Sequence, residues 1–147
     1  MALIRNSRWI HDFDSYLQTA MRTEFSWGTQ DCCMFPASAI QAFTGTDIAD
    51  DFRGKYKTQL GAFALIKKVT GGSTAENAAA YCATKYGLVE YQFPLFAKRG
   101  DLVVIANGDD LIAGIVHLNG RHVVSVSAAG LVRLPISSTT VKRAWSV

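Results

Sequence analysis

The hydrophobic pattern of this chain changes period once. Up to Gly87, apolar residues recur at spacings of three and four; beyond Pro94 they come in short β-branched runs. The stretch SRWIHDFDSYLQTAMR puts Ile10, Phe13, Leu17 and Met21 on one face, which predicts a first helix with Ser7 as its N-cap. A second helix is expected after Asp31, stopping at Gly45. TQLGAFALIKKVTGG predicts a third, ended by Gly71 and Gly72. STAENAAAYCATKYG predicts a fourth, with Ser73 and Glu76 as a capping box and Gly87 at its close. The runs GDLVVIA, LIAGIVHL, RHVVSVS and LVRLPI then read as strands, separated by the turn residues NGDD, NG and AAG. Helices followed by a meander predict an α+β fold. Its antiparallel sheet, formed after Arg99, should pack on the helix that holds residues 37–42.

A length of 147 residues fits one domain spanning 1–147. The net charge of +3 is spread thinly, with basic residues at most paired, as in Lys67-Lys68 and Lys98-Arg99. Without a basic stripe, nucleic acid is not an expected partner. No apolar run approaches the roughly 20 residues of a membrane span, so no membrane insertion is expected. The start, MALIRNSRW, holds an apolar patch shorter than a signal-peptide core, and synthesis in a cytoplasm is expected. The cysteines are Cys32, Cys33 and Cys82, an odd set without C-x-x-C; the histidines are His11, His117 and His122. A disulfide framework is not expected, and a zinc site would need ligands from distant segments. Neither a metal nor a cofactor is expected.

Candidate chemistry gathers in FSWGTQDCCMFPASAIQAFTG, residues 25–45. With Asp31 as N-cap, Cys32 takes the first helical position, where free backbone N–H groups and the helix dipole favour a thiolate. A helix opening on cysteine, followed by a sheet bearing histidine, is how a papain-like thiol site is assembled. The alternative is that Cys32 and Cys33 are small hydrophobes packed under the sheet. Spacing alone leaves both open.

WGTQDCCMFPASAIQAFTG followed by KRGDLVVI resembles the NlpC-type cell-wall cysteine peptidases, from about Phe25 to the end of the chain. The resemblance implies a papain-like fold, with Cys32 in the nucleophile's place and Gly100-Asp101-Leu102 opening the first strand. A compact branch of that fold among tailed-phage and prophage proteins is more similar still. Its motifs correspond here to Trp27-Gly28, Asp31-Cys32, Gly45-Thr46-Asp47, Arg53-Gly54-Lys55-Tyr56, Gly130-Leu131 and Ala144-Trp145. That likeness implies a tail-tip or baseplate protein, located in the virion and made in the bacterial host cytoplasm, with other tail proteins as partners.

In the peptidases the next strand begins with the catalytic histidine. Aligned on Gly114-Ile115 and Asn119-Gly120, IAGIVHLNG puts Ile112 there, and isoleucine cannot take the thiol proton. Strand alternation turns His117 to the opposite face from Ile112, and His11 reads as structural. His122 remains as a base if the hairpin register shifts. Cys33-Met34 stand where the peptidases carry Ser-Gly, and Pro36 threatens the helix's opening turn. The chain therefore reads as a degenerate NlpC-like domain with a structural or assembly role in a phage tail. The alternative is an active thiol peptidase or amidase cleaving bacterial peptidoglycan peptide during entry, with Cys32 as nucleophile and His122 as base. Arg53 and Tyr56 are the candidate partner contacts; otherwise Arg53 pairs with Asp50 or Asp51 and Tyr56 packs under its loop. An exposed apolar patch at Phe93, Leu95 and Phe96 would suit the non-enzymatic reading.

Overall fold

Glycines end two of the helices, as their positions in the sequence predict. Gly45 and Gly71 both take left-handed backbone conformations, with φ of 80° and 88°. The computed structural model describes residues 3–147. Its helices are α1 (Trp9–Ala20), α2 (Met34–Thr44), α3 (Gln59–Thr70) and α4 (Ala75–Lys85). The strands are β1 (Val89–Glu90), β2 (Leu102–Asn107), β3 (Asp110–Val116), β4 (His122–Ser127), β5 (Gly130–Pro135) and β6 (Val141–Ser146). A short 3-10 turn, Pro94–Phe96, lies between β1 and β2.

Three helix details differ from expectation. Helix α1 buries Phe13, Leu17 and Ala20, but Ile10 and Met21 are exposed. The face that packs on α2 runs through Trp9 and Phe13 against Phe43 and Tyr16 against Phe35, which leaves Ile10 to one side, and Met21 lies past the last turn. Ser7 does not cap α1; Asn6 Oδ1 instead accepts the Arg8 N–H at 3.0 Å. The capping box of α4 sits one residue later than Ser73 and Glu76: Thr74 and Asn77 each accept the other's backbone N–H at 3.2 Å.

The sheet is antiparallel throughout, in the order β1-β6-β2-β3-β4-β5. Strands β2 to β5 form the expected meander, and β6 returns to the free edge of β2. The architecture is α+β, with N-terminal helices packed on a C-terminal antiparallel sheet. One face, including Leu102, Val104, Ala113, Ile115 and Trp145, joins the main core with α2 and α4. The other face also closes: Val103, Ile105, Ile112, Val116, Val123 and Ala144 form a second cluster, covered by residues such as Tyr91, Val132 and Leu134. Burial on both faces explains why DLVVI and GIV read as continuous apolar runs and not as alternation. Fully burying each such side chain contributes about 1.5–3 kcal/mol.

Strands β3 and β4 pair at Ile115–Val124 and Val116–Val123, and their ladder ends there. A Cβ on Gly114 would stand 2.8 Å from the Val124 carbonyl oxygen, so this closest approach requires glycine. Gly114→Ala should therefore destabilise the fold by roughly 1–3 kcal/mol. Urea unfolding measures this, and an unchanged midpoint would mean the strands do not meet so closely.

Candidate functional site: a groove bearing Cys32

The site is built around a buried carboxylate. Ser26 and Gln30 exchange backbone hydrogen bonds across a tight turn, which delivers Asp31 to the start of α2. Gly28 is needed in that turn: its φ is 88°, and a Cβ would meet the Tyr56 carbonyl oxygen at 2.2 Å. Asp31 is 1% exposed. Its Oδ1 accepts the N–H groups of Cys33 at 3.0 Å and Met34 at 2.9 Å. Its Oδ2 accepts the Gly28 N–H at 2.8 Å and the Tyr56 hydroxyl at 2.6 Å. The Asp31 carbonyl accepts the Phe35 N–H at 2.8 Å, so the first turn closes ahead of the regular helix. The regular helix starts only at Met34, so Cys32 lies in the turn ahead of it and not at the first helical position the sequence predicts; the Asp31 side chain caps that turn. Pro36 has no N–H to offer the Cys32 carbonyl, but the side chain of Asp31 holds the turn regardless.

Cys32 faces a groove of about 770 Å³. Phe25 and Trp27 form one wall, edge to face with centroids 4.8 Å apart, and Phe63 of α3 contributes another. Asp109, on the turn joining β2 to β3, and Asp110, the first residue of β3, sit at its edge, and the far side is residues 126–129. Ile112 lines the same groove as Cys32 and packs in the sheet's second cluster, whose margin includes Cys32.

The groove exists because β3 and β4 part. Beyond the last paired residues, Ser125 Oγ donates to the Ala113 carbonyl at 2.5 Å. The Ala113 amide approaches the Cys32 thiol from the same strand. Side chains thus take over where the ladder stops. Hydrogen bonding from the Cys33 thiol lowers the pKa of Cys32, and the Ala113 and Cys32 backbone amides act in the same direction. Burial and the charge of Asp31 oppose the shift without reversing it. Cys33 moves the other way, because it donates to Cys32 and is buried beside negative charge. Cys33 and Cys82 both border the small void between α2 and α4, and burial pushes the Cys82 thiol up to about 12.

The structure separates the other candidates. No histidine lines the groove among the described residues. His122 opens β4 at its far end, with Nδ1 3.0 Å from the Asn119 side-chain amide. Ser127, which does line the groove, is five residues further along β4, roughly 16 Å at a strand's rise. The register has not shifted to bring His122 to Cys32, because the pairings Ile115–Val124 and Val116–Val123 fix it. His117 lies beyond β3, where Nδ1 accepts the Asn119 N–H. His11 is on the exposed side of α1.

Arg53 and Tyr56 are turned inward rather than presented to a partner. Arg53 makes a two-pronged pair with Asp47, at 2.8 and 3.1 Å, and donates to Ser38 Oγ at 2.9 Å. Asp50 and Asp51, the expected partners of Arg53, bind Lys85 instead. Tyr56 is 7% exposed and ends on Asp31. Sequence reasoning missed Ser125 and Ala113, since neither residue type signals chemistry. It also missed Asp101 as a clamp: its carboxylate accepts from Arg5, Tyr91 and the backbone of Lys98 and Val147.

Fold and site together define an α+β domain with a thiol-bearing groove that, among the described residues, no imidazole enters. A family described as a domain of unknown function, DUF6950, matches residues 4–147, and the chain belongs to it. No curated protein and no solved structure matches the chain.

Removing the Tyr56 hydroxyl leaves Asp31 short of one donor in a buried place. Tyr56→Phe should cost about 1–2 kcal/mol, seen as a fall of a few degrees in melting temperature. No change would show that Asp31 finds water there. For the thiols, iodoacetamide labelling followed against pH should give Cys32 an inflection below the free-cysteine value of about 8.5. Cys82, which is buried, should stay unlabelled in the folded chain, and Cys33, whose thiol donates to Cys32, should label only at higher pH. Equal labelling of all three would contradict this order.

Proposed function

We propose that this chain is a non-hydrolytic NlpC-like domain serving as a structural or assembly component of a phage tail, at the tip or baseplate. One observation carries the loss of hydrolysis: Ile112 shares the groove with Cys32, where a thiol peptidase needs an imidazole. Peptide cleavage by a thiolate needs a group that accepts the thiol proton and returns it to the leaving amine. Of the other ionisable side chains lining the groove, Asp31 and Tyr56 are bonded to each other, the Cys33 thiol keeps its proton as donor to Cys32, and Asp109 and Asp110 are exposed. A solvated carboxylate is too weak a base, and too seldom protonated at neutral pH, to do both jobs well. The tail assignment is supported by the order of the motifs from Trp27-Gly28 to Ala144-Trp145.

A second reading, an active thiol hydrolase acting on cell-wall peptide, is favoured by the lowered pKa of Cys32 beside an open groove. The two separate cleanly in an assay. Purified peptidoglycan peptides incubated with the chain should release no new amine. Release that disappears in Cys32→Ala would overturn the non-hydrolytic reading. Ile112→His should speed alkylation of Cys32 near neutral pH by offering the absent base. Mass spectrometry of purified particles tests the tail assignment: the chain should be present in stoichiometric amount. Its absence from particles would remove the virion role.

A further inference from the structure

Two unpartnered features lie at opposite ends of β2. Ahead of the strand, Phe93, Leu95 and Phe96 are 54%, 49% and 63% exposed, with the two phenyl rings edge to face at 5.4 Å. This is the apolar patch expected from the sequence, and it is held firmly. Tyr91 Oη and the Lys98 N–H, at either end of the segment, donate to Asp101 Oδ2 at 2.6 and 2.8 Å. Asp101 is 1% exposed and tied also to Arg5. Apolar side chains on a clamped loop lose little freedom on docking, which favours their use as anchors. Lys98 and Arg99 follow, both exposed, and neither enters an ion pair among the described residues.

Past the other end of β2 lies the Cys32 groove, walled by aromatic rings. Asp109 and Asp110 at its edge are exposed and likewise enter no ion pair among the described residues. Among the described residues, no lysine or arginine lines the groove. Its volume of about 770 Å³ falls within the roughly 300–1,000 Å³ of pockets that enclose a ligand. The six residues of β2 keep the two features roughly 20 Å apart, too far to satisfy each other within one chain.

We infer that residues 93–99 of one copy dock in the Cys32 groove of a second copy. Phe93, Leu95 and Phe96 enter between the aromatic walls, and Lys98 and Arg99 meet Asp109 and Asp110. The contact is heterologous, so every added copy carries a free plug at one end and a free groove at the other. Such contacts close into a ring or continue as a filament. Pairing plug against plug would set Lys98 and Arg99 against their own copies. A lipid surface would receive only two cations, short of a polybasic cluster, and would leave the groove unfilled. The inference rests on reading the groove as a docking site and not a turnover site. Hydrolysis assayed on the same samples reports on that reading separately.

The test is sedimentation equilibrium of the full chain over rising concentration. The weight-average mass should climb past about twice that of the monomer. Phe96→Asp disables the plug and Asp109→Lys/Asp110→Lys disables the groove; all three positions are exposed, and thermal melting verifies folding. Each variant alone should stay monomeric. Mixed in equal amounts they retain one compatible contact, and should form a complex of about twice the monomer mass that grows no further. Adding Lys98→Asp/Arg99→Asp to the groove variant in one chain should restore assembly by exchanging the charges. A parent chain monomeric at every concentration would overturn the inference. So would assembly indifferent to Phe96→Asp, a mixture that stays monomeric, or binding to anionic vesicles through Phe93 and Phe96 without self-association.

Discussion

The carboxylate of Asp31 is the point on which the N-terminal half depends. Its four donors come from three separate pieces of chain: the turn at Gly28, the first turn of α2 at Cys33 and Met34, and the loop ending at Tyr56. A buried acceptor or donor left without a partner costs about 1–3 kcal/mol, so these pieces are fixed together or not at all. The sequence Trp-Gly-x-x-Asp-Cys then has a physical meaning in this chain. Glycine lets the turn press against the Tyr56 backbone, aspartate gathers the donors, and cysteine lands beside the sheet. The thiol's position follows from the carboxylate, whatever use is made of the thiol.

A second constraint opens the groove. The β3–β4 ladder stops after two pairs, and the Ala113 carbonyl is satisfied by Ser125 instead of by backbone. Buried backbone groups are almost always paired, so a ladder can end inside a domain only where side chains replace it. Ser125 is fully buried and makes that replacement on one side, and Cys32 adjoins the amide on the other. The same parting lets Ile112 face the groove while still belonging to an apolar cluster. Groove and core are therefore one construction, and a change in either is felt in both.

The residues show why some of this was legible and some not. Gly45 and Gly71 mark helix ends by a local backbone requirement, and Asn107-Gly108 and Asn119-Gly120 mark hairpins in the same way. Placing Ile112 with Cys32 came from the resemblance, through Gly114-Ile115 and Asn119-Gly120 aligned on the family's strand. What failed was long-range or marginal. Strand β6 mixes Lys142 and Arg143 with buried Val141, Ala144 and Trp145, so its pattern is not a clean period of two. It also carries a register shift opposite Val104 and Ile105. Strand β1 has two residues and no pattern at all. Arg53 had several carboxylates in reach along the chain, and only the fold chooses Asp47. The Tyr56–Asp31 bond joins residues 25 apart, which no local signal announces.

The isoleucine at 112 serves the core. It is 8% exposed beside Val103, Ile105 and Val116, where an imidazole would be stripped of water without an assured partner. Across the parted strands, the hydroxyl of Ser125 is already spent on the Ala113 carbonyl. A histidine there would have to tolerate burial, find an orienting group and stay neutral enough to act as a base, all against an apolar cluster. Activity and stability conflict at such positions, and isoleucine settles the conflict in favour of packing. The carboxylate network at Asp31 feels no such conflict. It holds the Gly28 turn, the start of α2 and the Tyr56 loop together whatever the thiol beside it does.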